Sequence, residues 1–254
     1  MDFALSLPKQ LIKKTDKMES YNEYNYGMGQ PTAVLTHDVS KVMRSVYARM
    51  FLGLVVTALT AIFVASTPSI MYAIFSSKIA FWGLIIAEFA CVLTISAAIN
   101  KLSTFAATAL FYLYALLNGV VFSSIFWVYE LGSIGYTFLI TAGVFGAMSL
   151  YGYMTKSDLT KVGSFLFMAL IGVIIATVVN IFVASSTLDW IISFAGVAIF
   201  VGLTAWDTQK IKQMVAYGDS SLMGKVATIG ALQLYLDFIN LFLYLLRFFG
   251  NSRD

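Results

Sequence analysis

Charged residues in this chain stand in short clusters separated by long stretches that hold none: Met50–Ser77, Leu102–Tyr129, Leu131–Thr155 and Val162–Leu188 contain no Asp, Glu, Lys or Arg. An apolar stretch of roughly 20 residues crosses the hydrocarbon core of a bilayer as a helix. Lipid offers the backbone no hydrogen-bond partner, so only helices and closed barrels can span it. The stretches here are continuously apolar rather than alternating, which excludes the barrel pattern. Composition agrees, with 59% apolar and 11% charged residues against about 25% charged in a soluble domain.

Seven spans are expected, at about 45–67, 79–100, 104–127, 134–155, 162–184, 188–209 and 228–249. The fold class is therefore an all-α membrane protein, a seven-transmembrane helical bundle over residues 44–254. Residues 1–43 read as a polar, disordered cytoplasmic tail. Within it, Phe3–Met18 has the makings of a weak amphipathic helix carrying Lys9, Lys13, Lys14 and Lys17, and Ser20–Pro31 reads as irregular. No apolar core follows the start, so the segment is not a secretory signal, and insertion falls to the first span.

Lysine and arginine counts orient the bundle. With the N-terminus in the cytoplasm, the inner side holds Lys41, Arg44, Arg49, Lys101, Lys156, Lys161, Lys210, Lys212 and Lys225 as well as the tail lysines, and the outer side holds Lys78, Arg247 and Arg253. The two C-terminal arginines oppose the bias, and a re-entrant last segment would remove the conflict; seven full spans is the simpler reading. Trp82, Trp127, Trp190 and Trp206 fall near expected span ends, as an aromatic belt would.

The small net charge of +3 and the lack of a basic, aromatic-interleaved stripe argue against nucleic-acid binding. A single cysteine, Cys91, allows neither a disulfide nor a cysteine metal site within the chain. The only histidine, His37, lies in the tail, so no span carries a Ser/His hydrolase. His-Glu-x-x-His is absent, and span seven has no lysine for a retinal Schiff base. No enzyme is expected and no cofactor.

Three acids interrupt the spans: Glu88, Asp207 and Asp237. A charge at the bilayer centre costs at least about 2.5–3.5 kcal/mol on insertion scales, so such residues face a packed interior, water or a partner. One reading makes them functional; the other makes them protonated acids that tie helices together. Asp207 stands near the inner end of span six and Asp237 about two turns into span seven, so tilt or longer helices would bring them level. Two carboxylates in contact share one proton and titrate as a unit, and their oxygens suit a hard cation such as Ca²⁺. Gln233, Asp237, Asn240 and Tyr244 are spaced four, three and four apart, a polar stripe on one face of span seven. A lipid-exposed helix would not carry it, so span seven is expected at the centre.

The segment Gly202-Leu-Thr-Ala-Trp-Asp-Thr-Gln-Lys-Ile-Lys-Gln-Met214 resembles the sixth-helix signature of the Bax inhibitor-1 family. Ala231-Leu-Gln-Leu-Tyr-Leu-Asp-Phe-Ile-Asn-Leu-Phe-Leu-Tyr-Leu-Leu-Arg247 closely resembles the seventh, and Val46-Tyr-Ala-Arg-Met-Phe-Leu-Gly-Leu54 the first. Glu88 sits where the family often has an acid in the second helix. The resemblance covers nearly everything after residue 40 and leaves out the tail. It implies a bundle wrapped around its C-terminal helix, pH-sensitive calcium leak and cytoprotection, with Asp207 and Asp237 as the proton-responsive gate. It also implies, for some bacterial members, regulation of a membrane-bound protease. Some members latch the sixth-helix aspartate with an arginine late in the second helix; here the region reads Ser96-Ala-Ala-Ile-Asn-Lys101, leaving Lys101 as a point-charge substitute.

An intramembrane aspartyl protease also pairs two aspartates, but its Tyr-Asp and Gly-x-Gly-Asp contexts are absent: here they are Trp206-Asp207 and Leu236-Asp237. The expectation is a pH-sensitive Ca²⁺ (cation) leak channel of a bacterial plasma membrane. Asp207 and Asp237 would switch with protons and contact the metal, Glu88 would draw cations from the outer side, and Gln233 and Asn240 would line the path. The rival is a non-conducting regulator of a membrane protease, docked through the tail. Oligomeric state does not follow from the sequence.

Overall fold

The computed structural model describes residues 36–253. Expectations for Phe3–Met18 and Ser20–Pro31 lie outside the described residues, as does most of the expected tail. Seven long apolar helices cross the membrane: α1 (Thr36–Ala65), α3 (Lys78–Ala98), α4 (Thr104–Phe122), α6 (Leu131–Met154), α7 (Thr160–Val183), α8 (Ser186–Tyr217) and α9 (Met223–Phe249). Two short helices, α2 (Pro68–Phe75) and α5 (Ile125–Val128), sit in the connections on one side. Among the described residues no strand forms; Tyr129 and Ser252 make an isolated antiparallel bridge.

The boundaries follow local chemistry. Ser77, Ser103 and Ser185 cap α3, α4 and α8, each hydroxyl accepting from the backbone N–H three residues on. The expected third span runs unbroken over 104–127, whereas α4 stops at Phe122. There the hydroxyls of Ser123 and Ser124 donate to Val120 O (2.6 Å) and Val121 O (2.9 Å), competing with the helical pattern. The sharp turn from α7 into α8 is made at Ala184, whose φ of 51° is left-handed. Asn180 holds this turn twice, its backbone carbonyl accepting from Ala184 N (2.8 Å) and its side-chain oxygen from Ser185 N (3.0 Å).

The most apolar stretch of α9 is 67% buried, that of α7 only 6%. The C-terminal helix is therefore the centre, packed by α8, α1, α6 and α4, while α7 packs against α8 and α3 against α4 and α2. Close approaches make this compact. A Cβ on Gly119 would lie 2.6 Å from Thr57 O on α1, and one on Gly196 would lie 2.6 Å from the Tyr244 ring on α9. Tyr235, fully buried on α9, sets its ring edge-on to Phe111 and Tyr114, and its hydroxyl is 2.6 Å from Thr57 Oγ1.

The chain ends on the face opposite to the start of α1. α9 runs unbroken to Phe249, and the following segment docks on the α5–α6 link: Glu130 N donates to Asn251 O (3.0 Å) and Arg253 N to Val128 O (2.9 Å). The re-entrant alternative does not form. The two arginines that oppose the charge bias are held there, Arg247 Nη1 donating to Asp189 Oδ1 (2.8 Å) and Arg253 Nη1 to Phe126 O (2.8 Å).

Candidate functional site

The two aspartates come level because both helices are longer than expected. α8 continues to Tyr217, leaving Asp207 almost three turns from its end, and α9 begins at Met223, about four turns before Asp237. Both side chains are buried, Asp207 8% and Asp237 4% exposed, and they lie within hydrogen-bonding reach of each other. Such a contact requires one proton, since an ionised carboxylate only accepts. Asp207 Oδ1 and Asp237 Oδ2 are buried without another hydrogen-bond partner among the described residues.

The pair opens onto a cavity of about 350 Å³ between α7, α8 and α9. The polar stripe of α9 faces it: Gln233, Asp237, Asn240 and Tyr244 all line the cavity. Gln233 Oε1 is buried with no partner among the described residues, and Asn240 Nδ2 donates back to Leu236 O (2.8 Å). The α7 wall is apolar, with Phe167, Leu170 and Ile174. Side-chain oxygens thus stand on one wall of the cavity and hydrocarbon on the other. No group of three or more His, Cys, Asp or Glu side chains gathers among the described residues.

Two expected residues stand elsewhere. Glu88 does not line this cavity; its Oε1 is buried without a hydrogen-bond partner among the described residues. Glu88 sits on α3, which packs against α4 and α2, whereas the cavity lies between α7, α8 and α9. Tyr235, whose ring meets Phe111 and Tyr114 of α4, and Asp237 are two residues apart, about 200° around the helix, so the flank of α9 that faces α4 is not the one that faces the cavity. Lys101 is exposed and makes no ion pair among the described residues. The cation beside Asp207 is instead Lys210, its Nζ 4.0 Å from Asp207 Oδ1 and 4.9 Å over the Trp206 ring. The spacing Asp207–Lys210, one helical turn, carried that signal in the sequence. Trp206 packs its ring against Gly163 at the cavity edge, and α8 continues beyond it. Trp82, Trp127 and Trp190 are exposed near helix ends on the face opposite to the start of α1.

The side where α1 begins is fastened around these helices. Gln209 accepts from Leu159 N (2.9 Å) and donates to Ser157 O (2.8 Å), clamping the α6–α7 link. In that link, outside the membrane, Thr160 donates to Asp158 from its hydroxyl (2.6 Å) and its N–H (2.9 Å). Those bonds hold the Asp158 carboxyl below the usual carboxylate range. Arg49 Nη1 donates to Gly224 O (2.7 Å) and to the Thr228 hydroxyl, pinning α1 to the start of α9.

The family described as inhibitor of apoptosis-promoting Bax1 matches residues 39–254. The chain is 51% identical over 214 residues to the inner membrane protein YbhL of Escherichia coli K12, covering 83% of this chain and 92% of that one. It is 48% identical to an uncharacterised protein of Borreliella burgdorferi, over 85% and 94% of the two chains, and 44% identical to one of Rickettsia prowazekii, over 84% and 91%. Both aspartate-bearing helices lie inside the matched region, and this multi-pass membrane protein belongs to the Bax inhibitor-1 family.

Proposed function

We propose that the protein is a pH-sensitive cation leak pathway, with Ca²⁺ as the transported ion and the Asp207–Asp237 pair as its proton switch. The observation that carries this reading is the pair itself: two buried carboxyls in mutual reach, each with an oxygen lacking another protein partner, at a cavity lined by Gln233 and Asn240. With one proton held between them, the carboxyls tie α8 to α9. Without it, two like charges repel at close range and make a double-carboxylate ligand for a hard divalent ion. Proton and cation thus compete for the same oxygens, which makes flux depend on pH. Lys210 stands where it modulates that competition, and Glu88, on α3, lies apart from the cavity.

The bacterial inner membrane, with the N-terminal side cytoplasmic, fits the charge distribution. The YbhL relative is named as an inner membrane protein. The test is Ca²⁺ flux into liposomes holding the purified chain, from pH 5 to 8. The parent is expected to change its flux across that range, and Asp237→Asn, or Asp207→Asn with Asp237→Asn, to flatten the profile. A profile unchanged in the double variant overturns the switch. No flux above empty liposomes overturns conduction and favours the non-conducting regulator.

A further inference from the structure

A second, larger cavity, about 510 Å³, lies between α1 and α6 toward the face where α1 begins, and shares no residue with the aspartate cavity. Its walls are two helical stripes: Ser40, Met43, Arg44 and Tyr47 on α1, facing Phe145, Ser149, Leu150 and Tyr153 on α6. The two helices run in opposite directions, so polarity is sorted by depth. Ser40, Arg44 and Tyr153 stand at the rim, while Phe145 and Gly146 lie roughly 10 Å further into the membrane. Gly146 meets open space: a Cβ there would touch nothing within 4 Å. Tyr47 and Ser149 cross the groove with a 2.6 Å hydroxyl bond, and Ser149 continues to Thr208 at 3.0 Å.

The rim is cationic. Arg44 is exposed and forms no ion pair among the described residues. Lys41 is also exposed, on the same face of α1. Nearby, Lys212 reaches the wall, its Nζ donating to Tyr153 O (2.7 Å) and lying 4.9 Å over that ring. A groove at membrane depth with a guanidinium and hydroxyls at the interface and hydrocarbon beneath is complementary to an anion that carries an acyl chain. We propose that this groove binds one anionic phospholipid, its phosphate on Arg44 and the hydroxyls of Ser40 and Tyr47, and one acyl chain along Phe145, Gly146 and Leu150. A zwitterionic lipid offers the same chain but cancels the charge that Arg44 selects.

Native mass spectrometry of the purified full chain, given equal phosphatidylglycerol and phosphatidylcholine, reads this directly. The parent is expected to retain one phosphatidylglycerol in preference to phosphatidylcholine. Arg44→Gln should reduce that preference about fivefold, the contribution of one basic residue at an anionic surface, with chain occupancy kept. Gly146→Leu, which grows into open space and leaves helix packing alone, should lower retention of both lipids. Excess inorganic phosphate should leave the retained lipid in place. Equal retention of the two lipids by the parent, or both variants behaving as the parent, overturns the proposal.

Discussion

At the residue scale, single polar side chains in the core join several helices at once. Thr57 is one: its hydroxyl lies within 3.0 Å of Gly53 O, Ala115 O and Tyr235 Oη, joining α1, α4 and α9. Tyr235→Phe removes one of these bonds without changing shape and is expected to cost about 1 kcal/mol, measured as thermal or denaturant unfolding in detergent; an unchanged midpoint would show that Thr57 is satisfied without it. Asp158 gives a pH-dependent case outside the membrane. Its lowered value means that the ionised, bonded form supports the start of α7 above the usual carboxylate range, and this support is lost as pH falls through the lowered value. The protection factor of the Thr160 amide should therefore fall on acidification, and Asp158→Asn should abolish that pH dependence. The sequence showed the stripe of Gln233, Asp237, Asn240 and Tyr244 because helical period alone puts them on one face. It did not show that Glu88 lies apart from the cavity that Asp237 faces, since that depends on how the helices are arranged.

At the scale of elements, the long helices were legible because twenty apolar residues have few options in lipid. Their ends were not. α8 outruns the expected span, passing Gln209 to reach Tyr217, since polar residues that look like a helix end are satisfied by neighbours: Thr208 by Ser149, Gln209 by the α6–α7 link. The short α2 was also missed; it is held by Met71, fully buried, whose sulfur accepts from Ser123 Oγ at 3.0 Å. Two substitutions test the junctions. Ala184→Gly relieves a left-handed residue and should leave stability unchanged or raise it by up to about 1 kcal/mol; clear destabilisation would show that the turn is not left-handed. Gly119→Leu forces α4 from Thr57 and Thr60, and overpacking of this kind costs roughly 1–3 kcal/mol, visible as a lowered unfolding midpoint.

At the scale of the whole molecule, charge asymmetry and helix count make one topological statement. Among the described residues, the face where α1 begins holds Lys41, Arg44, Lys156, Lys212 and Lys225, and the opposite face holds Lys78, Arg247 and Arg253. In a Cys91→Ser background, a membrane-impermeant thiol reagent should label Ser76→Cys in intact cells and Ser157→Cys only after lysis. The reverse pattern would invert the topology and place the phospholipid groove in the other leaflet.

The position of α9 at the centre has a consequence for how the molecule is made. Chains emerge from the ribosome in order, so six spans are made before the helix around which four of them pack. Until it arrives, Thr57, Phe111 and Tyr114 have no Tyr235 to close upon, and Asp207 waits without its partner carboxyl. Synthesis thus supplies α9 after the four helices that pack around it, and its arrival closes contacts that those spans leave open.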